Sequence, residues 1–404
     1  MLSLRSAAAV LILVAAPAAV PAGVDPAVPS TAAQLPVSVV TGPPLLRLGG
    51  AAEKRDGYWF VQPNGALRLA DGRIVVAACG LHELRFYMPD GTLQRRVGGE
   101  GDGPGEFRLM TRLRRTTADS LLTLDLFQRR TSLFSPDGDF VRSFNLPINE
   151  DVFGRFADGS FLAGRSIVER EPAPTPVIVW SHWDMRLRDA AGEVIEELGR
   201  YPRSETLLRG SASLGVVGGR FAALAVAGDR FYLGTQEAAE IRVLSASGTE
   251  LQVIPTVTAP APVTREFREA TARAAAARAP AENRDGVLRR ALETPWPGAL
   301  PAYGRFLLGG DGRLWVQDGY RGSMEPRSWT AYRDGRAELR AVVPAGFAAT
   351  DFGADWVLGI TMDEMDIAAV ELHRLPPATA GEVPPQESAV TVVGGASPRC
   401  WMRR

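Results

Sequence analysis

Lysine is nearly missing from this chain. Its 404 residues include 45 basic and 46 acidic side chains, and Lys54 is the single lysine, so the other 44 cations are arginines. The formal net charge is -1. A protein that holds polyanions without sequence preference is far more basic, so a nucleic-acid partner is not expected. Cysteine is scarce as well, and Cys79 and Cys400 alone cannot build a disulfide framework. Histidine is limited to His82, His182 and His373, little material for a histidine-rich metal site. No apolar run after residue 22 is long enough to span a bilayer, so no membrane insertion is expected. What the chain has in quantity is turn formers, 42 Gly and 30 Pro, beside 46% hydrophobic and 23% charged residues. That is globular usage, and it excludes a wholly disordered, collagenous or multispanning protein.

Residues 1–22 read MLSLRSAAAVLILVAAPAAVPA. Arg5 supplies a positive start, Ala7 to Ala16 an apolar centre, and small residues follow. This is the pattern of a secretory signal peptide, with cleavage expected after Ala18 or Ala22. Residues 23–36 are rich in Pro, Ala and Val and read as a linker. The mature protein is therefore expected to be secreted or periplasmic. Export makes Cys79 and Cys400 eligible to pair, although two unpaired thiols are the plainer reading.

The rest of the chain repeats. Residues 66–99 hold four short apolar runs separated by turn signals, two of them the pairs Asp71-Gly72 and Asp90-Gly91. Such pairs favour tight hairpins because glycine accepts positive φ. The pattern returns at 113–144 with Asp119 and Asp137-Gly138 at the same offsets. Later copies carry Asp158-Gly159 and Ala191-Gly192, then Gly228-Asp229 and Ser247-Gly248, then Asp311-Gly312 and Asp334-Gly335. A sixth opens at Gly353-Ala354-Asp355 and ends after three recognisable strands at His373–Leu375. A four-stranded unit cannot bury both faces alone, so such units must stack around an axis. The missing strand is available in Val37–Val40 or Leu45–Leu48, with 389–393 as a competitor. The expected fold is all-β: a six-bladed β-propeller over 37–376 with four-stranded antiparallel blades, a helical insertion at 258–300 between blades four and five, and a C-terminal tail at 377–404.

The segment from Gly98 to Phe107, GGEGDGPGEF, resembles the inter-blade link of NHL-repeat-like six-bladed propellers, as do the strand endings LLTLD at 121–125 and LWVQD at 314–318. The resemblance covers about 37–376 in pattern. It implies the fold; such propellers serve both as binding platforms and as enzymes. The glycine-rich segment is neither a phosphate loop nor a dinucleotide fingerprint, because no Gly-Lys-Ser/Thr and no helix follow it. Asp102 and Glu106 could hold a cation, but two carboxylates without further ligands do not specify a site.

In a propeller, first-to-second and third-to-fourth strand turns emerge on one face, and second-to-third loops and inter-blade links on the other, around the channel mouth. Here the mouth face carries the elaboration: a long loop at about Ser166–Pro176, the segment Gly319–Arg327, and the insertion after Thr258. In that insertion Thr264 is expected to cap one helix, Pro280 to end it and Asp285 to cap a second. Function concentrates on such loops, so the ligand-binding candidates are Asp125, Arg129, Glu237, Asp318, Tyr320 and Arg321, with Arg112 and Arg305 on innermost strands. Arg68, Arg114 and Arg155 join the latter two as channel arginines suited to anions, although arginine is common enough here to place several there by chance. Trp180, Trp183, Tyr320 and Trp329 suit a ring stack or the inter-blade core.

Two functional readings lead, ahead of a third, a mainly structural envelope protein. The first is a binding platform for a protein, peptide or glycan, with no metal or cofactor. The second takes its precedent from gluconolactonase-like and paraoxonase-like propellers, which hold Ca2+ with Asn, Asp and Glu: a metal-assisted hydrolase or lyase needing Asp125, Glu237 and Asp318 to converge. No asparagine aligns with them. The alternative role of the aspartates is to cap turns through backbone N–H groups. His82, His182 and His373 fall at different places in their units and are not expected to share a zinc.

Overall fold

The computed structural model describes residues 35–168, 173–277, 279–319 and 327–380. Two strands precede the repeats: β1 (Val37–Val39) and β2 (Leu46–Gly49). The first sheet joins β3 (Pro63–Arg68), β4 (Ile74–Ala78), β5 (Glu83–Tyr87) and β6 (Leu93–Gly98). The second joins β7 (Met110–Arg115), β8 (Leu121–Asp125), β9 (Arg130–Phe134) and β10 (Phe140–Asn145). The third runs β11 (Glu150–Arg155), β12 (Phe161–Ile167), β13 (Ala173–Arg188), β14 (Val194–Gly210) and β15 (Ala212–Gly215). The fourth runs β16 (Ala223–Ala227), β17 (Arg230–Gly234), β18 (Glu240–Ser245) and β19 (Glu250–Pro255). A helical hairpin follows, α1 (Arg265–Ala277) and α2 (Arg284–Glu293), between the paired short strands β20 (Ala261–Pro262) and β21 (Ala299–Leu300). The fifth sheet is β22 (Tyr303–Leu308), β23 (Leu314–Asp318), β24 (Arg327–Arg333) and β25 (Arg336–Val343), and the sixth is β26 (Ala348–Phe352), β27 (Trp356–Met362) and β28 (Ala368–Arg374).

Both N-terminal strands are used. β2 pairs antiparallel with β28 as the fourth strand of the sixth sheet, and β1 pairs parallel with β25 as a fifth strand of the fifth. Of the candidates for the missing strand, 389–393 lie outside the described residues. Innermost strands and their neighbours touch in cyclic order: β3 against β7, β8 against β11, β11 against β16, β16 against β22, β22 against β26, and β26 against β3.

The core explains the sequence pattern. Every residue of β4, IVVAA, is buried. Ile74, Val76 and Ala78 join an apolar cluster shared with the sixth sheet, while Val75 and Ala77 join one shared with the second. A strand covered on both faces reads as an unbroken apolar run. Four more clusters fill the other junctions between neighbouring sheets. In one of them Trp315 stacks on Phe352, ring centres 4.1 Å apart.

The turns use glycine as expected, through a slightly longer loop than a two-residue hairpin. Gly72 takes φ 88°, its N–H donates to Leu69 O at 2.9 Å, and Leu69 N–H donates to Arg73 O at 2.8 Å. That is a three-residue loop with glycine in the left-handed position. Asp71 Oδ1 accepts the Arg73 N–H at 3.0 Å, so the aspartate closes the same turn.

Two sequence expectations need correction. Ser166–Pro176 is not a loop throughout: Ser166 and Ile167 end β12, Ala173 to Pro176 begin β13, and 169–172 are outside the described residues. β13 and β14 extend past the end of β12, pairing Val177 with Leu208 through Ser181 with Ser204, and β15 lines their outer edge. The β-branched run Val177–Val179 favours an extended tongue over a coil. Asp285 does not cap the second helix, because α2 starts at Arg284 out of a 3-10 turn at Ala281–Asn283. Thr264 does cap the first, its Oγ1 accepting the Phe267 N–H at 3.2 Å.

Candidate functional site

Each sheet has its first-to-second and third-to-fourth turns at one end, and its second-to-third loop and inter-sheet links at the other. The second end carries both large additions, the tongue of the third sheet and the helical hairpin. They meet: a Cβ on Gly218, just after β15, would lie 2.9 Å from Leu300 and 3.9 Å from both Phe267 and Pro297. Phe267 in turn sits edge-on to Trp296. The tongue is pinned from below by Glu205, which accepts the Arg220 backbone N–H at 2.8 Å and its guanidinium at 2.6 Å and 3.1 Å.

The candidate residues do not gather. Asp125 ends β8 and is 2% exposed. Its Oδ2 accepts the N–H groups of Arg108 at 2.6 Å and Leu109 at 2.8 Å, and its Oδ1 accepts that of Gln128 at 2.8 Å. Asp318 ends β23, where Arg340 reaches its Oδ2 at 3.0 Å and the Thr330 hydroxyl donates to Oδ1 at 2.8 Å. Burial pushes the Asp318 carboxyl above the usual range, against the pull of Arg340. Glu237 is exposed after β17. Arg129 is exposed, with φ 52°, in the loop after Asp125. Tyr320 and Arg321 lie outside the described residues, as do the leader at 1–22 and Cys400. Among the described residues no three of His, Cys, Asp and Glu come together as a metal-holding group. The carboxylate oxygens that a Ca2+ would need on Asp125 and Asp318 are committed to the protein's own donors, so these residues do not fit that ion.

The glycine-rich link is likewise engaged with the protein itself. Glu106 Oε2 accepts the Gly103 N–H at 2.8 Å, and Asp102 pairs with Arg108 at 2.9 Å. Arg130 clasps the link by donating to the carbonyls of Asp102 and Gly103 at 2.9 Å and Glu106 at 2.5 Å. Gln128 adds a bond to Gly101 O at 2.6 Å. The result is a rigid loop between β8 and β9 with Leu126 and Phe127 pointing outward, 39% and 74% exposed.

The innermost-strand arginines divide into two kinds. At the hairpin end, Arg115 of β7 reaches Asp351 of β26 at 2.6 Å and also bonds Arg68 O, while the Arg68 N–H donates to Asp351 at 2.9 Å. Three sheets are tied there. Burial pushes Asp351 up to about 6, with Arg115 pulling the other way. Arg155 reaches Thr117 Oγ1 at 3.4 Å. Arg305 donates to Ala349 O at 2.9 Å and lies 5.7 Å over Trp329. Arg112 and Arg114 are less engaged: Arg112 has one contact, 3.3 Å to Asp151. Burial pushes both Arg114 and Arg305 down to about 10. The aromatics divide too. Trp329 is core, Trp183 is nearly so, and Trp180 carries Arg220 at 5.2 Å.

No protein-family model matches the chain, and no curated protein matches it by sequence. Solved structures do. A member of the DUF4221 family from Bacteroides vulgatus is similar at 11% identity over 84% of this chain and 98% of that one, with a TM-score of 0.50. The fold is a β-propeller. A protein from Bacteroides fragilis whose name marks it as exported is similar at 11% identity, covering 84% of this chain and all of that one, with a TM-score of 0.46. Regucalcin from Agrobacterium tumefaciens, named as calcium-binding, is similar at 11% identity over 85% of this propeller and 98% of its own chain, with a TM-score of 0.39. No described helix is long and apolar enough to cross a membrane.

Proposed function

We propose that the chain is an exported six-bladed propeller of the NHL-repeat-like kind, and that it binds a protein, peptide or glycan ligand on its mouth face. The observation that carries this reading is where exposed apolar side chains fall. Outside the strands, Trp59, Leu126, Phe127, Ile148, Val217, Leu292 and Met365 are exposed on the mouth face, against Leu45 and Met88 at the hairpin end. Exposed apolar residues also begin β10, β14 and β19 at the hairpin end, but those in loops and links fall mainly on the mouth face, which favours an interaction surface there. Phe127 is the best-placed of them. An aromatic ring held outward by a clamped loop loses little entropy on binding, as an interface anchor should. The tongue and the helical hairpin stand on the same face and enlarge it.

The test is to pan a random peptide library and a glycan panel on the mature protein, then measure the selected binders on Phe127→Ala and on a chain lacking 260–298. Binding that weakens at least about tenfold in either variant, each shown folded by circular dichroism, supports the reading. Binders that hold both variants as tightly as the parent overturn it.

A further inference from the structure

We infer that the junction of the second and third blades, on the channel side below the foot of the tongue, is a binding site for an oxyanion gripped by Arg112, Arg114 and Arg203. The inference rests on the mouth-face reading and supplies the chemistry of part of that face.

The case begins with guanidinium groups that have few partners. Some arginines of this propeller are firmly held, as in the Arg130 clasp and the Arg115–Asp351 pair, although buried Nε atoms without a partner also occur at Arg68 and Arg142. Arg114 makes no hydrogen bond or ion pair among the described residues, and its Nε is buried without a partner. Arg112 has only its 3.3 Å contact with Asp151. Arg203 lies over Trp183, 5.0 Å from the ring centre, and its Nη1 reaches only the hydroxyls of Ser181 and Ser204, both at 3.4 Å. Asp151 is the one carboxylate that acts on both Arg114 and Arg203, and Arg112 is the like charge that acts on both. Arg112 alone touches that carboxylate, and Arg114 and Arg203 feel it only at longer range.

The surroundings raise the cost of that excess. Burial depresses the Arg114 and Arg203 guanidinium groups below their ordinary range. A cation taken out of water without a counter-charge is costly to the fold, and a well-placed anion offsets that cost. Arg112 and Arg114 line a narrow crevice with Leu122, Leu124 and Val152, and the Arg112 side chain is 44% exposed, open to a solute. Guanidinium forks match the two oxygens of a carboxylate or phosphate. Asp151 holds the place of the ligand weakly through its single long contact.

The experiment titrates the mature protein with acetate, with inorganic phosphate and with chloride at one fixed ionic strength, reading the unfolding midpoint and the apparent Kd. Acetate or phosphate should stabilise beyond chloride, and whichever does so more strongly identifies the source of the oxyanion. Arg114→Gln and Arg203→Gln should each weaken the apparent Kd by at least about tenfold. Asp151→Asn should tighten it several-fold by removing the internal competitor, an outcome that a purely structural arginine cluster does not produce. Arg242→Gln, a surface pair on β18, should leave it unchanged. Equal stabilisation by all three anions overturns the inference, as does an Arg114→Gln or Arg203→Gln protein that binds like the parent. Should the arginine variants not fold, the Asp151→Asn titration decides alone: tightening supports the site, and an unchanged or weakened Kd sinks it. A parent protein that binds neither acetate nor phosphate while peptide or glycan capture is intact refutes this site and leaves the mouth-face reading standing.

Discussion

Asp125 separates a ligand-facing carboxylate from a structural one, and the two roles predict opposite results for one substitution. Its oxygens accept three backbone N–H groups, from Arg108, Leu109 and Gln128, while the residue itself is 2% exposed. Hydrogen bonds to a charged acceptor each contribute about 1.5–3 kcal/mol. The donors sit at the surface of the loop, where water replaces part of the loss. Asp125→Ala should therefore destabilise the protein by about 3–5 kcal/mol. Asp125→Asn keeps one accepting oxygen and turns the other into a donor facing donors, so it should cost about 1–3 kcal/mol. Guanidinium unfolding followed by tryptophan fluorescence reads both, through a lower midpoint at unchanged slope. Phe127→Ala, two residues along the same loop, serves as the comparison: its ring is 74% exposed, and stability should stay within about 0.5 kcal/mol of the parent. An Asp125→Ala protein within about 1 kcal/mol of the parent would refute the capping role. If that protein also lost captured ligand, the carboxylate would belong to the binding surface.

Arg130→Lys should destabilise by about 1–2 kcal/mol, because one ammonium cannot span the carbonyls of Asp102, Gly103 and Glu106 that the guanidinium clasps; a denaturation midpoint equal to the parent's would contradict this. For Asp351 the sign follows from burial. Its folded-state carboxyl is pushed up to about 6, whereas an unfolded Asp titrates near about 3.9. Between those values the folded state binds more protons than the unfolded one, so this group's contribution is full below about pH 4 and falls by about 3 kcal/mol as pH rises through about 6. The stability difference between parent and Asp351→Asn should shift by that amount across the window and level off above it; a constant difference from about pH 4 to about pH 7 would count against it.

Much of the fold is legible in the chain because its causes are local. Asp71-Gly72 specifies its turn through one left-handed glycine and one side-chain bond, and neither needs a distant partner. The five-residue run of β4 announces burial on both faces. The tongue is harder to see. Its residues read as a loop because Pro172, Pro174 and Pro176 interrupt them, while the extended pairing depends on β14, more than twenty residues later. The arrangement of the candidate site is not legible at all. Asp125 and Asp318 share a place at the end of a second strand, which suggests convergence. What each carboxylate meets is decided by backbone N–H groups and arginines from other strands and loops. Arg112 and Arg114 look no different in sequence from other arginines that carry firm partners.

The near-absence of lysine now has a physical reading. Arg130 with three carbonyls, Arg115 across three blades and Arg203 over Trp183 each use a planar, forked cation that an ammonium cannot imitate. The sequence by itself determined the repeat, the turns and the two-sided burial of the strands, because hydrophobic period and glycine φ act within a few residues. Only the tertiary structure decided which arginines are satisfied and which are left with few partners. That outcome depends on charges brought together from separate blades, and no spacing along the chain encodes it.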